Sequence, residues 1–177
     1  MTESRRRDEW RLVAERPGPS GWMPVVTRTY ELPDGTHADW DILLRDDTVV
    51  VLALTEDDHV VLVREFRPGP GAVLDEMPGG YVDPGETVAA AAARELAEET
   101  GYAGELEVVA SCWGFGQSTW RRHVAVARGC RPSVARHPGE LGAPVLVTVD
   151  GFRDRLRQGC LTDVDLGYLA LDHLGLL

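Results

Sequence analysis

The chain has 177 residues, 44% of them hydrophobic and 27% charged, with a formal net charge of −11. That length suits one domain around one core, and the composition excludes a disordered chain. An acidic surface opposes binding to a nucleic-acid polymer, which needs a basic face, so a small anion is an expected ligand only where arginines or divalent cations cancel the repulsion.

The N-terminal stretch MTESRRRDEW has a basic cluster with no apolar run behind it, so it reads as no secretory signal and the expected location is the cytoplasm. Residues 1–21 are expected to be an N-terminal extension of a single domain spanning 1–177. The apolar runs, such as Val49–Leu54, are too short to span a bilayer, and no membrane partner is expected. Cys112, Cys130 and Cys160 form no CxxC pair and are odd in number, which argues against a disulfide framework or a zinc site.

Residues 25–32 (VVTRTYEL) and 36–44 (THADWDILL) flank Pro33-Asp34-Gly35, which predicts a β-hairpin. Residues 48–55 (TVVVLALT) and 59–66 (HVVLVREF) flank Glu56-Asp57-Asp58 in the same way, with the β-branched enrichment of interior strands. Beyond the Pro/Gly stretch Pro68–Gly71, the run Ala72–Met77 leads through a turn at Pro78-Gly79-Gly80 to a helix over 87–100. Thr87 can cap that helix and Gly101 can end it. Residues 105–112, 121–127 and 144–149 read as strands. Asp150–Gln158 and Thr162–Leu174 read as helices separated by Gly159, with Phe152, Leu156, Leu166 and Leu169 as core contacts. Strands, helix, strands, helices in that order predict an α/β protein with a mixed sheet covered by helices.

The chemistry concentrates in GYVDPGETVAAAAARELAEETGY, residues 80–102. At about 100° per residue, Glu95, Glu98 and Glu99 fall within roughly 100° of the helix surface. Three carboxylates on one face are either a solvated charge run or a ligand set for a hard divalent cation. The surroundings point to the cation: Arg94 stands on nearly the same face as Glu86 and can clamp the entering loop, while Gly79, Gly80 and Gly85 let the backbone turn tightly towards the carboxylates.

Gly80, Glu86, Arg94-Glu95, Leu96, Glu98-Glu99 and Gly101 match the signature of the Nudix hydrolases position for position, with Tyr102 where an aliphatic residue is commoner. The resemblance implies a Nudix-type α/β/α sandwich with a mixed β-sheet and an N-terminal β-hairpin extension. It also implies two or three Mg²⁺ or Mn²⁺ ions held by Glu95, Glu98, Glu99 and a backbone carbonyl of Gly79 or Gly80. Glu86, Arg94 and Gly80 would support that set without touching the substrate.

Beyond this box the resemblance covers roughly residues 22–174 and is nearest to ADP-ribose and nucleoside-diphosphate-sugar pyrophosphatases. It is carried by TRTYELPDG (27–35), LVREFRPG (62–69), DEMPGGYVDPGE (75–86) and LRQGCLTDVDLGYLAL (156–171). The activity implied is hydrolysis of a nucleoside diphosphate sugar to a nucleoside monophosphate and a sugar phosphate. Arg67 would grip the diphosphate, Trp22 and Trp40 would sandwich the base or else be core or dimer-interface tryptophans, and Arg45 would reach a partner's substrate or else be an exposed strand-end residue. The last two roles imply a homodimer.

The glycine-rich loop Gly114–Thr119 has no carboxylate, so Glu140 is the positional match for the general base, with Glu98 or Glu99 as alternatives. The five histidines are scattered and receive no chemistry, and Ser111, Ser118 and Thr119 lie in no nucleophile-elbow pattern. Two other readings use the same sequence: a Nudix hydrolase of another nucleotide (a triphosphate, a dinucleoside polyphosphate, a nicotinamide or flavin dinucleotide, coenzyme A) and a non-catalytic ADP-ribose-binding module.

Overall fold

The computed structural model describes residues 10–18, 23–133 and 136–177, which fall into two units. The first comprises the chain up to Asp46 together with Trp113–Arg121, and the second comprises Asp47–Cys112 and Arg122–Leu177.

In the first unit, β1 (Arg11–Pro17), β2 (Val25–Glu31) and β3 (His37–Leu43) form a three-stranded antiparallel sheet in that order. The turn between β2 and β3 follows its residues: Gly35 takes φ 84°, and Asp34 Oδ1 accepts from Thr36 N at 2.9 Å and Thr36 Oγ1 at 2.6 Å. Strand β1 lies within the expected N-terminal extension and gave no sequence signal. All seven of its residues are exposed, so it carries no in–out alternation, and its register comes from pairing with β2. The other residues of that extension, apart from Trp10 and Gly18, lie outside the described set.

The second unit is built on β4 (Thr48–Thr55), β5 (His59–Arg67), β6 (Ala72–Glu76), β7 (Gly79–Tyr81), α1 (Val88–Thr100), β8 (Tyr102–Trp113), β9 (Arg121–Pro132), β10 (Ala143–Thr148), α2 (Val149–Gln158) and α3 (Val164–His173). Its seven-stranded sheet runs β10-β5-β4-β9-β8, with β6 on β5 and β7 on β4. Strand β4 is antiparallel to β5 and β7 but parallel to β9, so the sheet is mixed.

The period of two along β4 sorts the core into two layers. Val49, Val51 and Ala53 face Ala91, Ala92 and Leu96 of α1, while Val50, Leu52 and Leu54 join Phe152, Leu156, Leu166 and Leu171 of α2 and α3. A sheet buried on both faces between helices is the expected α/β/α sandwich. The alanines let α1 lie close to the sheet, since a side chain of one carbon needs little room.

Three expectations are corrected. Residues 79–81 form strand β7 where a turn was expected, because β5 leaves β4 after Val61 and the free first half of β4 takes a new neighbour. Strands β8 and β9 run to Trp113 and Pro132, past the expected ends. Leu169 is 41% exposed: α3 buries Leu166, Gly167, Ala170 and Leu171, a stripe that leaves Leu169 outside. Among the described residues no helix is long and apolar enough to cross a membrane, and the three cysteines are unbridged.

Candidate active site

Helix α1 enters from a loop that its own arginine holds. Thr87 caps it, its side chain accepting from Ala90 N at 3.2 Å, and Gly85 takes φ 84° to make the preceding turn. Arg94 then closes the loop. Its Nε and Nη2 donate to the two oxygens of Glu86 at 3.1 and 3.0 Å, and Nη2 also reaches the Tyr81 carbonyl at 2.9 Å. Glu86 accepts in addition from Asp83 N at 3.2 Å. The paired guanidinium holds the Glu86 carboxyl below its ordinary range and raises that of Arg94 in return. Glu86 and Arg94, expected to pair, are bonded through both carboxylate oxygens.

Glu95 and Glu98 share the other end of that network, and Glu99 is bonded to the backbone beside it. Arg94 Nη1 donates to Glu95 Oε1 at 2.7 Å and lies 3.3 Å from Glu98 Oε2, and Glu99 Oε2 accepts from Gly79 N at 2.9 Å. Burial pushes the Glu99 carboxyl up to about 8; the Gly79 N–H opposes this, and the charges of Glu95, Glu140 and Glu65 add to it. Glu95 is raised as well, first by burial, with Arg94 opposing and Glu98 and Glu140 adding. Gly80 lets the Glu95 carboxylate lie against the backbone, since a Cβ there would stand 2.3 Å from Glu95 Oε1 and turn that side chain aside.

Among the described residues no three acidic, histidine or cysteine side chains are gathered closely enough to hold one ion. Glu95 and Glu98 are turned to Arg94, and Glu99 to the backbone. The donor set nevertheless suits a hard divalent cation. It offers carboxylate and peptide oxygens only, the Gly79–Gly80 backbone lies against Glu95 and Glu99, and these carboxyls are driven towards neutrality by burial and by one another. A cation there would offset that repulsion.

Glu140 lies on a loop pinned to α1. His137 N donates to the Glu98 carbonyl at 3.0 Å, Glu140 N to the His137 carbonyl at 3.1 Å, and Arg136 Nη2 to the Glu140 carbonyl at 3.1 Å. The Glu140 charge is therefore felt at both Glu95 and Glu99. Arg67 ends β5, with Nε bonded to Glu76 Oε2 and Nη1 3.3 Å from Glu65 Oε2. Burial works against its charge, but Glu76, Glu65 and Glu99 together raise its pKa. Glu65, Glu76 and the Tyr81 carbonyl were not singled out from the sequence. Glu76 is a carboxylate only 3% exposed, and nothing in a strand pattern marks a buried charge in advance.

In the first unit, Trp40 on β3 is 36% exposed and contacts Trp10, ring centroids 5.7 Å apart; Trp10 in turn lies 6.2 Å from Tyr30. Trp10 was not anticipated as a neighbour of Trp40, and Trp22 lies outside the described residues. Arg45 is half-buried, with its guanidinium 4.0 Å over the Trp120 ring and its backbone bonded to Thr119 Oγ1.

Known proteins extend this picture. A family model described as the NUDIX domain matches residues 44–156. The chain is 34% identical over 97 residues to an ADP-ribose pyrophosphatase of Saccharomyces cerevisiae, covering 48% of this chain and 42% of the yeast protein. It is 35% identical over 116 residues to an ADP-sugar pyrophosphatase of Mus musculus, covering 58% and 53%. The matched region thus spans about half the length of these relatives. A crystal structure of an ADP compounds hydrolase has the same fold, with a TM-score of 0.82 over 98% of this chain and 100% of that one, at 21% identity. The glutamate box on α1 lies inside the matched segment, and that segment is more than half of the chain: this protein belongs to the Nudix hydrolase family.

Proposed function

We propose that the protein hydrolyses the pyrophosphate bond of ADP-ribose or a related nucleoside diphosphate sugar, with Mg²⁺ or Mn²⁺, giving a nucleoside monophosphate and a sugar phosphate. The observation that carries the reading is the row of carboxylates on α1, with Glu99 bonded to Gly79 N, Glu95 against Gly80, Glu98 beside Arg94, and Glu140 and Arg67 within electrostatic range of Glu99. The substrate class rests on the names of the yeast and mouse relatives.

In this reading Glu95, Glu98, Glu99 and the Gly79 carbonyl hold the cations. Cations bound there supply the positive charge that a diphosphate under attack requires. Arg67 grips phosphate oxygens with a planar guanidinium. Glu140, on its pinned loop, accepts a proton from the attacking water as one P–O bond of the bridge breaks; Glu98 or Glu99 is the alternative base. Arg94 and Glu86 hold the loop in register. Trp40, partly exposed, offers an aromatic face to the base.

A homodimer formed through the first unit is part of the same reading. Trp10, Leu12, Met23 and Trp40 are exposed there, an apolar surface that a second copy of the chain would cover. Action in the cytoplasm agrees with the unbridged cysteines.

The test is a Mg²⁺-dependent screen of ADP-ribose, other nucleotide sugars, dinucleotides and triphosphates with products identified. AMP and ribose 5-phosphate from ADP-ribose are expected. Inorganic pyrophosphate from a triphosphate, with ADP-ribose untouched, would overturn the substrate class, and no turnover of any of them would overturn the reading.

A further inference from the structure

The stretch 156–171 resembles the same pyrophosphatases, yet nothing in the proposed chemistry uses it. The structure connects it to Arg67. Thr162, between α2 and α3, donates through Oγ1 to Glu76 Oε1, and the other oxygen of Glu76 accepts from Arg67 Nε. Glu76 thus has one carboxylate oxygen committed on each side, at 3% exposure.

Thr162 is itself held from behind. The adjacent Asp163 accepts from Arg122 Nη2 at 2.6 Å, and Asp165 takes both Arg122 nitrogens at 2.8 Å. Arg122 is 8% exposed, so the turn that leads into α3 is fixed to the sheet by a buried cation.

At the other end the Arg67 side chain is 39% exposed. Its Nε is engaged by Glu76 and its Nη1 approaches Glu65, while Nη2 bonds to no protein atom among the described residues. One end of the guanidinium is anchored in the protein and the other is open to an anion.

We propose that Glu76, itself held by Thr162, is the positioning residue for Arg67: it fixes the Nε side of the guanidinium so that the open nitrogen meets the phosphates of the substrate. The inference rests on the proposed function, in which Arg67 grips a diphosphate. Its physical basis is pre-organisation. A buried carboxylate is costly unless paired, and both oxygens of Glu76 are engaged, one by Arg67 and one by Thr162, which fixes its direction. An arginine already ordered loses less freedom on binding than one that must be captured from solvent.

A double-mutant cycle on the full chain, with ADP-ribose and Mg²⁺, tests it. Glu76→Gln should lower kcat/KM by about tenfold, mainly through KM, because the grip on phosphate exists before the transition state. In an Arg67→Ala background the same change should cost less than about twofold, since the group through which Glu76 acts is gone. Equal losses in both backgrounds mean a merely structural carboxylate and overturn the proposal.

Thr162 is exposed and gives a second cycle should Glu76→Gln fail to fold in a thermal melt. Thr162→Val is expected to reproduce part of the KM rise only when Arg67 is present, and Thr162→Ser to restore it. A Thr162→Val effect independent of Arg67 overturns the relay. Wild-type protein that neither binds nor cleaves ADP-ribose overturns the functional reading and the relay together, whereas wild-type turnover with additive cycles overturns the relay alone.

Discussion

The two units hold their sheets together by opposite means. In the first, β1 is exposed along its whole length and only Val26 and Ile42 of β2 and β3 are buried. Its cross-strand neighbours are polar: Arg16 to Asp39 at 2.6 Å, Arg28 to Glu15 at 2.6 Å and Thr27 to Asp41 at 2.8 Å. In the second unit β4 buries every residue from Val49 to Leu54, and charged groups there are gathered into clamps around Arg94, Arg122 and Asp75. An exposed ion pair contributes little because water competes for both partners, whereas a pair at the edge of a packed core is held by its surroundings. Catalytic groups need fixed geometry and partial desolvation, and the second unit is where the fold provides both.

The largest effect expected from this contrast lies in the box. Replacing Glu98 and Glu99 together by Gln should reduce Mg²⁺-dependent turnover by at least about 10³-fold, the scale of losing charge stabilisation in phosphoryl chemistry. The melting temperature without metal should hold or rise, since the change removes the charge of Glu99, which burial and the carboxylates of Glu95, Glu140 and Glu65 disfavour. Kinetics and a melt in EDTA measure both, and a double variant that still turns over would sink the assignment.

Next is the core that supports the box. Phe152 is fully buried between α2, α3 and the sheet, and Phe152→Ala should cost about 3–5 kcal/mol in a urea titration. A loss under about 1 kcal/mol would mean that burial is not what distinguishes the second unit.

The elements that the sequence made legible were those with a strong period or strong punctuation. Strand β4, both hairpins and α1 with its caps at Thr87 and Gly101 lie where the pattern places them. The pairing of Glu86 with Arg94 was legible because their eight-residue spacing brings the loop carboxylate to nearly the same side as the helix arginine. Strand β7 was not, because its three residues gain their pairing only when β5 turns away from β4, a tertiary event. Strand β1 was invisible for the complementary reason, having no buried face to impose alternation. Thr162 could not be linked to Glu76, since that bond crosses 86 residues of chain, and Glu76 meets Arg67 only because β6 pairs with β5.

Acid should separate the two units further. Asp75 is held below its ordinary carboxyl value by the hydrogen bond from Arg64, with burial opposing and Arg155 adding. A depressed folded pKa stabilises the protein fully above the unfolded value of 3.8 and loses that contribution as pH falls through the folded one. Wild type should therefore exceed Asp75→Asn in urea midpoint at pH 6, and the gap should narrow as the medium is made more acidic than pH 3.8. A gap that stays constant with pH would remove the charge from the explanation.

The smallest effect belongs to the exposed sheet. Asp39 is also depressed, by its bond from Thr29 first and then by Arg16, so the direction of its acid response is the same as that of Asp75. Its size should not be. Asp39 and Arg16 are about half exposed, and their attraction is screened by water and salt. Asp39→Asn should shift the melting temperature by about one degree or less, and added salt should erase even that. If Asp39→Asn instead cost as much as Asp75→Asn and resisted salt, the first unit would be drawing order from its charges as the second does. Its exposed faces would then have to be covered in solution, which is what a dimer through that sheet supplies.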